Sequence, residues 1–135
     1  MPFLSGRCLC GKVKFTYDGP VGEASYCHCE DCRRCTGSAF NVSVQVDKAC
    51  LVFSDRSALG VFEYTADSGR EMQRMYCKSC GSPIMTIHPH IPSSAWIKAG
   101  IIDQIDMVHP VHESWTSVKV PWASIKVPSS SEGNR

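Results

Sequence analysis

The stretches Cys8-Leu9-Cys10-Gly11 and Cys77-Lys78-Ser79-Cys80-Gly81 each place two cysteines and a glycine in one short turn. Two thiolates so close in sequence can converge on one soft metal ion, and two such pairs complete a tetrahedral site. Glycine tolerates a positive φ, so the chain can curl back and direct backbone N–H groups at the sulfur atoms. The sequence therefore predicts a closed structural zinc site, the four-cysteine cluster. Its ligands are Cys8, Cys10, Cys77 and Cys80.

The two halves of the four-cysteine cluster lie far apart in the chain. A shared metal ion would therefore close most of the domain into one loop. Structural zinc in small domains contributes on the order of 10 kcal/mol to folding. Free thiols or redox-active pairs are the alternatives for these cysteines.

A third group of cysteines, in Cys27-His28-Cys29-Glu30-Asp31-Cys32, lies between the other two. It supplies three thiolates, which is the ligand number of a catalytic zinc site that keeps one position for water or substrate. Zinc lowers the pKa of what it binds at such a position, so a bound thiol is held as a thiolate. The sequence thus predicts two zinc ions per chain, the second at a reaction centre called here the three-cysteine cluster. That cluster consists of Cys27, Cys29 and Cys32.

The residues around the three-cysteine cluster leave alternatives open. Cys35 follows Cys32 on the same helical face and is the candidate fourth ligand of a closed site, or else a small buried thiol. His28 lies between two ligands and is expected to pack or to hydrogen-bond rather than to bind metal. Arg33 and Arg34 are candidates for bidentate binding of substrate carboxylates. A solvated helix end, or compensation of the thiolate charge, explains them equally well.

Other reactive or bulky residues are expected to be structural. Cys50 opens a predicted strand and is assigned to the core. His109 and His112 flank Pro110 and could act as acid–base groups, but a surface or structural role is favoured. Tryptophans most often fill a core, although one could line a pocket. They are Trp96, Trp115 and Trp122.

Composition narrows the class of protein. A chain of 135 residues with 43% hydrophobic residues suits one globular domain. A net charge of +1 gives no strong attraction to nucleic acid or anionic lipid. No stretch has the length of a membrane span, and the N-terminus lacks the apolar segment of a signal peptide. Nine cysteines is an odd number, so metal-bound thiolates in a reducing cytoplasm are preferred to a secreted disulfide framework.

Most of the chain is predicted to form short strands. Apolar and polar residues alternate over 13–17 and 40–46. Further strands are predicted at 51–54, 60–65, 71–76, 84–87, 96–100 and 118–120. One short helix is predicted at Glu30–Thr36 with Gly37 as its terminator. We expect a single, mainly antiparallel β-domain over residues 1–128, followed by a flexible polar tail over residues 129–135.

The order and spacing of these motifs resemble the glutathione-dependent formaldehyde-activating enzyme family, also called the centromere protein V family. The resemblance extends from about residue 7 to residue 125. The motifs that carry it are Cys8-x-Cys10-Gly11-x-Val13-x-Phe15, Cys27-His28-Cys29-x-x-Cys32-Arg33-Arg34-x-x-Gly37-Ser38, Tyr76-Cys77-x-x-Cys80-Gly81-Ser82-Pro83, Pro110-Val111-His112 and Pro121-Trp122.

The resemblance implies a zinc-bound β-tent of stacked antiparallel sheets. It also implies structural zinc at the four-cysteine cluster and catalytic zinc at the three-cysteine cluster. The family's named activity joins formaldehyde and glutathione into S-hydroxymethylglutathione, and is classed as a carbon–sulfur lyase by its reverse reaction. The expected partners are therefore glutathione or another small thiol, and formaldehyde or another small electrophile.

Other functions on the same chain stay open, because a fold supports several activities. The first alternative is a non-catalytic zinc-binding interaction module. The second is thiol redox or methionine sulfoxide chemistry through Cys35 or Cys50. A nucleic-acid-binding zinc ribbon is disfavoured by the near-neutral charge. The sequence carries no signal for the oligomeric state and offers no clear catalytic acid.

Overall fold

Eleven strands and one α-helix make up the regular structure of residues 3–134, the part that this computed structural model describes. The elements are β1 (Leu4–Arg7), β2 (Lys14–Tyr17), β3 (Val21–Cys27), α1 (Glu30–Thr36), β4 (Asn41–Asp47), β5 (Leu51–Phe53), β6 (Leu59–Thr65), β7 (Glu71–Cys77), β8 (Pro83–Ile87), β9 (Ser94–Lys98), β10 (Pro110–Ser114) and β11 (Ser129–Ser130). The prediction of a mainly β fold with one short helix after the three-cysteine cluster is confirmed. Within residues 3–134, no helix is long and apolar enough to cross a membrane.

The strands form two sheets. The smaller has the order β1-β2-β5, and the larger has the order β11-β10-β3-β4-β9-β8-β7-β6. Pairing is antiparallel throughout the small sheet and across most of the large one. The exception is β10, which runs parallel to both β3 and β11. The sequence analysis did not predict β1, β3, β10 or β11 as strands.

The hydrophobic core joins the two sheets. Phe15 and Tyr17 come from the small sheet, and Val44, Val46 and Ile97 from the large one, all at most 3% exposed. Alternation along β2 placed Phe15 and Tyr17 on the core face of the small sheet, and alternation along β4 placed Val44 and Val46 on the core face of the large sheet, as the sequence predicted. Cys50 is partly buried and packs against the same core.

The opposite face of the large sheet carries buried polar side chains. Residues directly opposite each other on antiparallel strands have their side chains on the same face of the sheet. By this rule Ser43 and Lys98 share one face. The pairs Trp96 with Thr86 and Thr86 with Arg74 extend that face across the neighbouring strands. The helix α1 lies over this face, because the Cys32 sulfur contacts Arg74. Polar residues this well buried mark a site rather than a second core. They are Asn41, Ser43, Arg74, Thr86, Ser94 and Lys98.

Two predictions near the C-terminus are wrong. The chain does not form a strand at 118–120: Thr116–Val118 is a 3₁₀ turn that follows Trp115, at φ 60°. The backbone groups that a strand would need are used inside this turn, where Val118 N donates to Trp115 O at 3.2 Å. Trp122 is not a core residue, since it is 76% exposed. Trp96 and Trp115 are half-buried.

The polar segment after residue 128 lies along β10. Ser129–Ser130 pairs with His112 and Glu113, and Ser131 N donates to Glu113 O at 3.0 Å. The His112 ring hydrogen-bonds with the Ser129 hydroxyl at 2.6 Å and the Ser131 hydroxyl at 3.1 Å. A domain boundary at residue 128 and a flexible tail beyond it stay predictions, and residue 135 lies outside the described residues.

Candidate metal centres and the adjoining cavity

The structure brings the four-cysteine cluster together from opposite parts of the chain. Its four sulfur atoms all lie within 4.8 Å of one another. The Cys10 sulfur is 3.6 Å from that of Cys8 and 3.7 Å from that of Cys77, which is 67 residues away. A zinc ion at about 2.3 Å from four tetrahedral sulfurs holds them about 3.8 Å apart. These distances therefore fit a zinc ion.

Local turns prepare this cluster for a cation. Gly11 has φ 82° and Gly81 has φ 78°, the positive values that were predicted after each cysteine pair. Val13 N donates to the Cys8 sulfur at 3.3 Å. The pKa of the Cys80 thiol is lowered to about 5, first by a hydrogen bond with the Ser82 hydroxyl and then by hydrogen bonds from backbone N–H groups. A thiolate is the form that binds zinc.

The three-cysteine cluster is assembled where β3 meets α1. Its three sulfur atoms also lie within 4.8 Å of one another. Cys27 is the last residue of β3, Cys29 is the N-cap of α1, and Cys32 is buried in the first turn of the helix. Cys32 N donates to the Cys29 sulfur at 3.3 Å, so the helix cap itself holds two of the thiols in place.

Cys35 and His28 take different places from the three thiols. Among the described residues, the group of converging sulfurs includes Cys27, Cys29 and Cys32 but not Cys35, which lines a neighbouring cavity. His28 is fully buried, and its Nε2 donates to Glu113 Oε1 at 3.0 Å. Its ring packs 5.9 Å from that of Phe40. The predicted packing and hydrogen bonding of His28 are confirmed.

A cavity of about 450 Å³ lies beside the three-cysteine cluster. Asp31, Arg34 and Cys35 border it from α1. The aromatic side chains of Phe62, Tyr64 and Tyr76, with Met75 and Met85, give it a carbon-rich lining. Arg34 is exposed and pairs with Glu30 at 3.3 Å, whereas Arg33 does not line this cavity.

Two buried cations in the cavity wall were not predicted from the sequence. Arg74 is 9% exposed, and its Nη2 donates to the Cys32 sulfur at 3.8 Å. Lys98 is 6% exposed, and its Nζ donates to Asn41 Oδ1 at 2.7 Å. The pKa of the Cys32 thiol is well below its usual value, first because of hydrogen bonds with Cys27 and Cys29 and then because of these positive charges. Burial lowers the pKa of Lys98. For Lys98 the available signal was a basic residue directly after the apolar run Ala95-Trp96-Ile97, whereas β7 around Arg74 also carries Glu71 and Gln73 and gave no such signal.

Comparison with known proteins gives three matches. A family model described as "Glutathione-dependent formaldehyde-activating enzyme" matches residues 3–118. A protein of Schizosaccharomyces pombe, named as an uncharacterized lyase, is 27% identical over 108 residues, which cover 80% of this chain and 74% of that protein. A crystal structure of a Rhodobacter sphaeroides protein has a TM-score of 0.60 at 19% identity, covering 74% of this chain and 88% of that one. At that identity the last match shows a shared fold alone.

Proposed function

The chain belongs to the glutathione-dependent formaldehyde-activating enzyme family, and from that premise we propose that it is a zinc-dependent carbon–sulfur lyase. Its substrate is the adduct of a small thiol with a small electrophile, and glutathione with formaldehyde is the first pair to test. The observation that carries the proposal is the set of three converging thiols beside a cavity of about 450 Å³. The lyase name of the Schizosaccharomyces pombe relative supports the same reaction class.

The donor sets suit two zinc ions with different tasks. Four thiolates at the four-cysteine cluster form a closed site, as structural zinc requires. The three-cysteine cluster would hold the second ion. When bound there, zinc lowers the pKa of a coordinated thiol and polarises a carbonyl oxygen.

The residues of the chain itself supply placement and charge. Arg74 and Lys98 offset the negative charge that three thiolates concentrate under α1. The apolar lining holds the carbon skeleton of the substrate and limits the water around the reacting atoms. The substrate sulfur can then bond to the carbonyl carbon, and the oxygen ends protonated. Cleavage reverses these changes.

The test compares two identical substitutions on one helix, Cys32→Ser and Cys35→Ser. We expect Cys32→Ser to lose one of two zinc ions and the enzymatic activity, because a hydroxyl is a much poorer zinc ligand than a thiolate. Cys35→Ser should keep both, since its sulfur is outside the converging group. Zinc content is measured by metal analysis and folding by circular dichroism. Adduct formation is followed by NMR with labelled formaldehyde and glutathione.

Three outcomes would count against the proposal. Adduct formation by the wild type at the spontaneous rate would exclude glutathione with formaldehyde as the substrate pair. One zinc ion per wild-type chain would exclude the second metal centre. Loss of zinc from Cys35→Ser would indicate a closed four-ligand site, where the additional thiolate weakens the metal as a Lewis acid.

A non-catalytic interaction module is the second candidate function. It is favoured by Trp122, which is 76% exposed, and by Val118, which is 48% exposed nearby in the sequence. Exposed aromatic side chains are enriched at protein interfaces. A wild-type protein that holds two zinc ions and catalyses no reaction with any small thiol would favour this function.

A further inference from the structure

Arg74 carries a buried hydrogen-bond donor that no described residue uses. Its Nε donates to the Tyr64 hydroxyl at 2.8 Å, and its Nη2 donates to the Cys32 sulfur at 3.8 Å. Its Nη1 is buried and makes no hydrogen bond within residues 3–134. Because a buried charged donor without a partner is unfavourable, such a group in a cavity wall points to an acceptor on a ligand.

The position of this donor limits which ligand atom it can bind. Nη1 and Nη2 are the two ends of one planar fork. An acceptor on the Nη1 hydrogen that faces Nη2 therefore lies beside the Cys32 sulfur. An oxygen in that position is close to the three thiols, as the reacting end of a substrate held at the three-cysteine cluster would be.

The charged residues around the three-cysteine cluster are suited to stabilise negative charge on the carbonyl oxygen of the electrophile. Three thiolates and one divalent ion leave one net negative charge. Arg74 and Lys98 are the buried basic residues of the cavity wall, and Asp31 borders the same cavity as an acidic residue. A substrate thiolate carries its negative charge at its sulfur. When the sulfur adds to a carbonyl carbon, the charge moves to the carbonyl oxygen.

We propose that Arg74 is a catalytic residue whose Nη1 donates to the oxygen of the electrophile while the carbon–sulfur bond forms. This inference rests on the proposed function. The sulfur lone pair forms the new bond to carbon, and the π electron pair of the carbonyl moves to oxygen. The oxygen then takes a proton from a water molecule, which balances the proton that the thiol has lost. Cleavage of the adduct runs through the same steps in reverse.

The kinetic test uses the zinc-loaded full chain and three substitutions. Arg74→Gln should lower kcat by about 100-fold, with KM for the thiol little changed, because the donor acts on charge that develops in the transition state. Arg74→Lys keeps a positive charge near Cys32 but lacks the second fork nitrogen, so it should recover only part of the loss. Arg70→Gln makes the same substitution at an exposed arginine that does not line the cavity, and it is the matched control, expected to keep the wild-type kcat.

A binding test needs no turnover and separates this inference from the proposed function. Thioacetate carries sulfur and oxygen on one carbon and shares one negative charge between them, whereas ethanethiol offers sulfur alone. Calorimetry should show that Arg74→Gln weakens thioacetate binding at least about tenfold more than it weakens ethanethiol binding. If glutathione and formaldehyde are not turned over, the proposed substrate pair fails while this contrast still tests Arg74.

Three results would overturn the inference. Equal losses of thioacetate and ethanethiol binding would show that Arg74 supports the sulfur site and not the oxygen. Wild-type kcat in Arg74→Lys would show that the fork is not needed. Loss of zinc from both Arg74 variants would show that Arg74 only holds the three-cysteine cluster together.

Discussion

At the scale of single residues, His28 links the three-cysteine cluster to the large sheet. It lies between two of the thiols, and its backbone N–H donates to Ser114 O at 3.1 Å. Its ring donates to Glu113, whose carboxylate also pairs with Lys119 at 3.5 Å. The strand β10 therefore sets the position of the loop that carries Cys27 and Cys29.

Replacing this ring should destabilise the fold and the metal site together. His28→Leu leaves the Glu113 carboxylate buried without its ring partner, so the free energy of unfolding should fall by about 2 kcal/mol. Urea denaturation measures the change. His109→Leu is the matched control, because His109 is exposed and the same substitution there should change stability by less than about 0.5 kcal/mol. Equal effects at the two positions would contradict the linking role of His28.

At the scale of elements, the short helix α1 depends on its two ends. Its seven residues begin at the Cys29 cap, with Glu30 and Asp31 in the first turn where acidic side chains are favoured. It ends at Gly37, which has φ 70° and whose N–H donates to Arg33 O at 2.8 Å. A helix this short has little stability of its own, so its caps hold Cys32 beside Cys27 and Cys29.

Gly37→Ala tests the contribution of the C-terminal cap. No atom lies within 4 Å of the added methyl group, so its cost comes from the left-handed backbone alone. We expect a loss of about 1 kcal/mol in the free energy of unfolding, together with weaker zinc binding at the three-cysteine cluster. Gly100→Ala is the control, since that site has equal space and no positive φ. Denaturation curves and zinc titrations that show no difference between the two variants would exclude this role for the cap.

At the scale of the whole molecule, the four-cysteine cluster ties the two sheets together. Cys8 follows β1 of the small sheet, and Cys77 ends β7 of the large sheet. A metal ion there restrains elements that the unfolded chain would hold far apart. The three-cysteine cluster, in contrast, spans only the junction of β3 and α1.

Loss of metal should therefore affect the two clusters unequally. We expect Cys77→Ser to unfold most of the domain, because structural zinc contributes on the order of 10 kcal/mol in small domains. Cys32→Ser should leave the fold intact. Thermal unfolding followed by circular dichroism, with and without a chelator, measures both. A folded Cys77→Ser chain without metal would show that the hydrophobic core suffices.

The sequence by itself determined the features that depend on neighbouring residues. The spacing of the cysteines and the glycines after them predicted both clusters, because ligands in one short turn converge whatever surrounds them. Alternation predicted β2 and β4, and the cap residues predicted α1. The strand predicted at 118–120 is wrong, because Val118 closes the 3₁₀ turn Thr116–Val118 and residues 118–120 pair with no strand of the described chain.

Only the tertiary structure decided which cations meet the three thiols. Arg33 and Arg34 are adjacent to Cys32 in sequence, yet the buried guanidinium in contact with its sulfur belongs to Arg74, 42 residues away. Lys98 and Asn41 come together through the pairing of β9 with β4. The register of distant strands brings these residues to one face, and that register follows from packing of the whole sheet rather than from any local pattern.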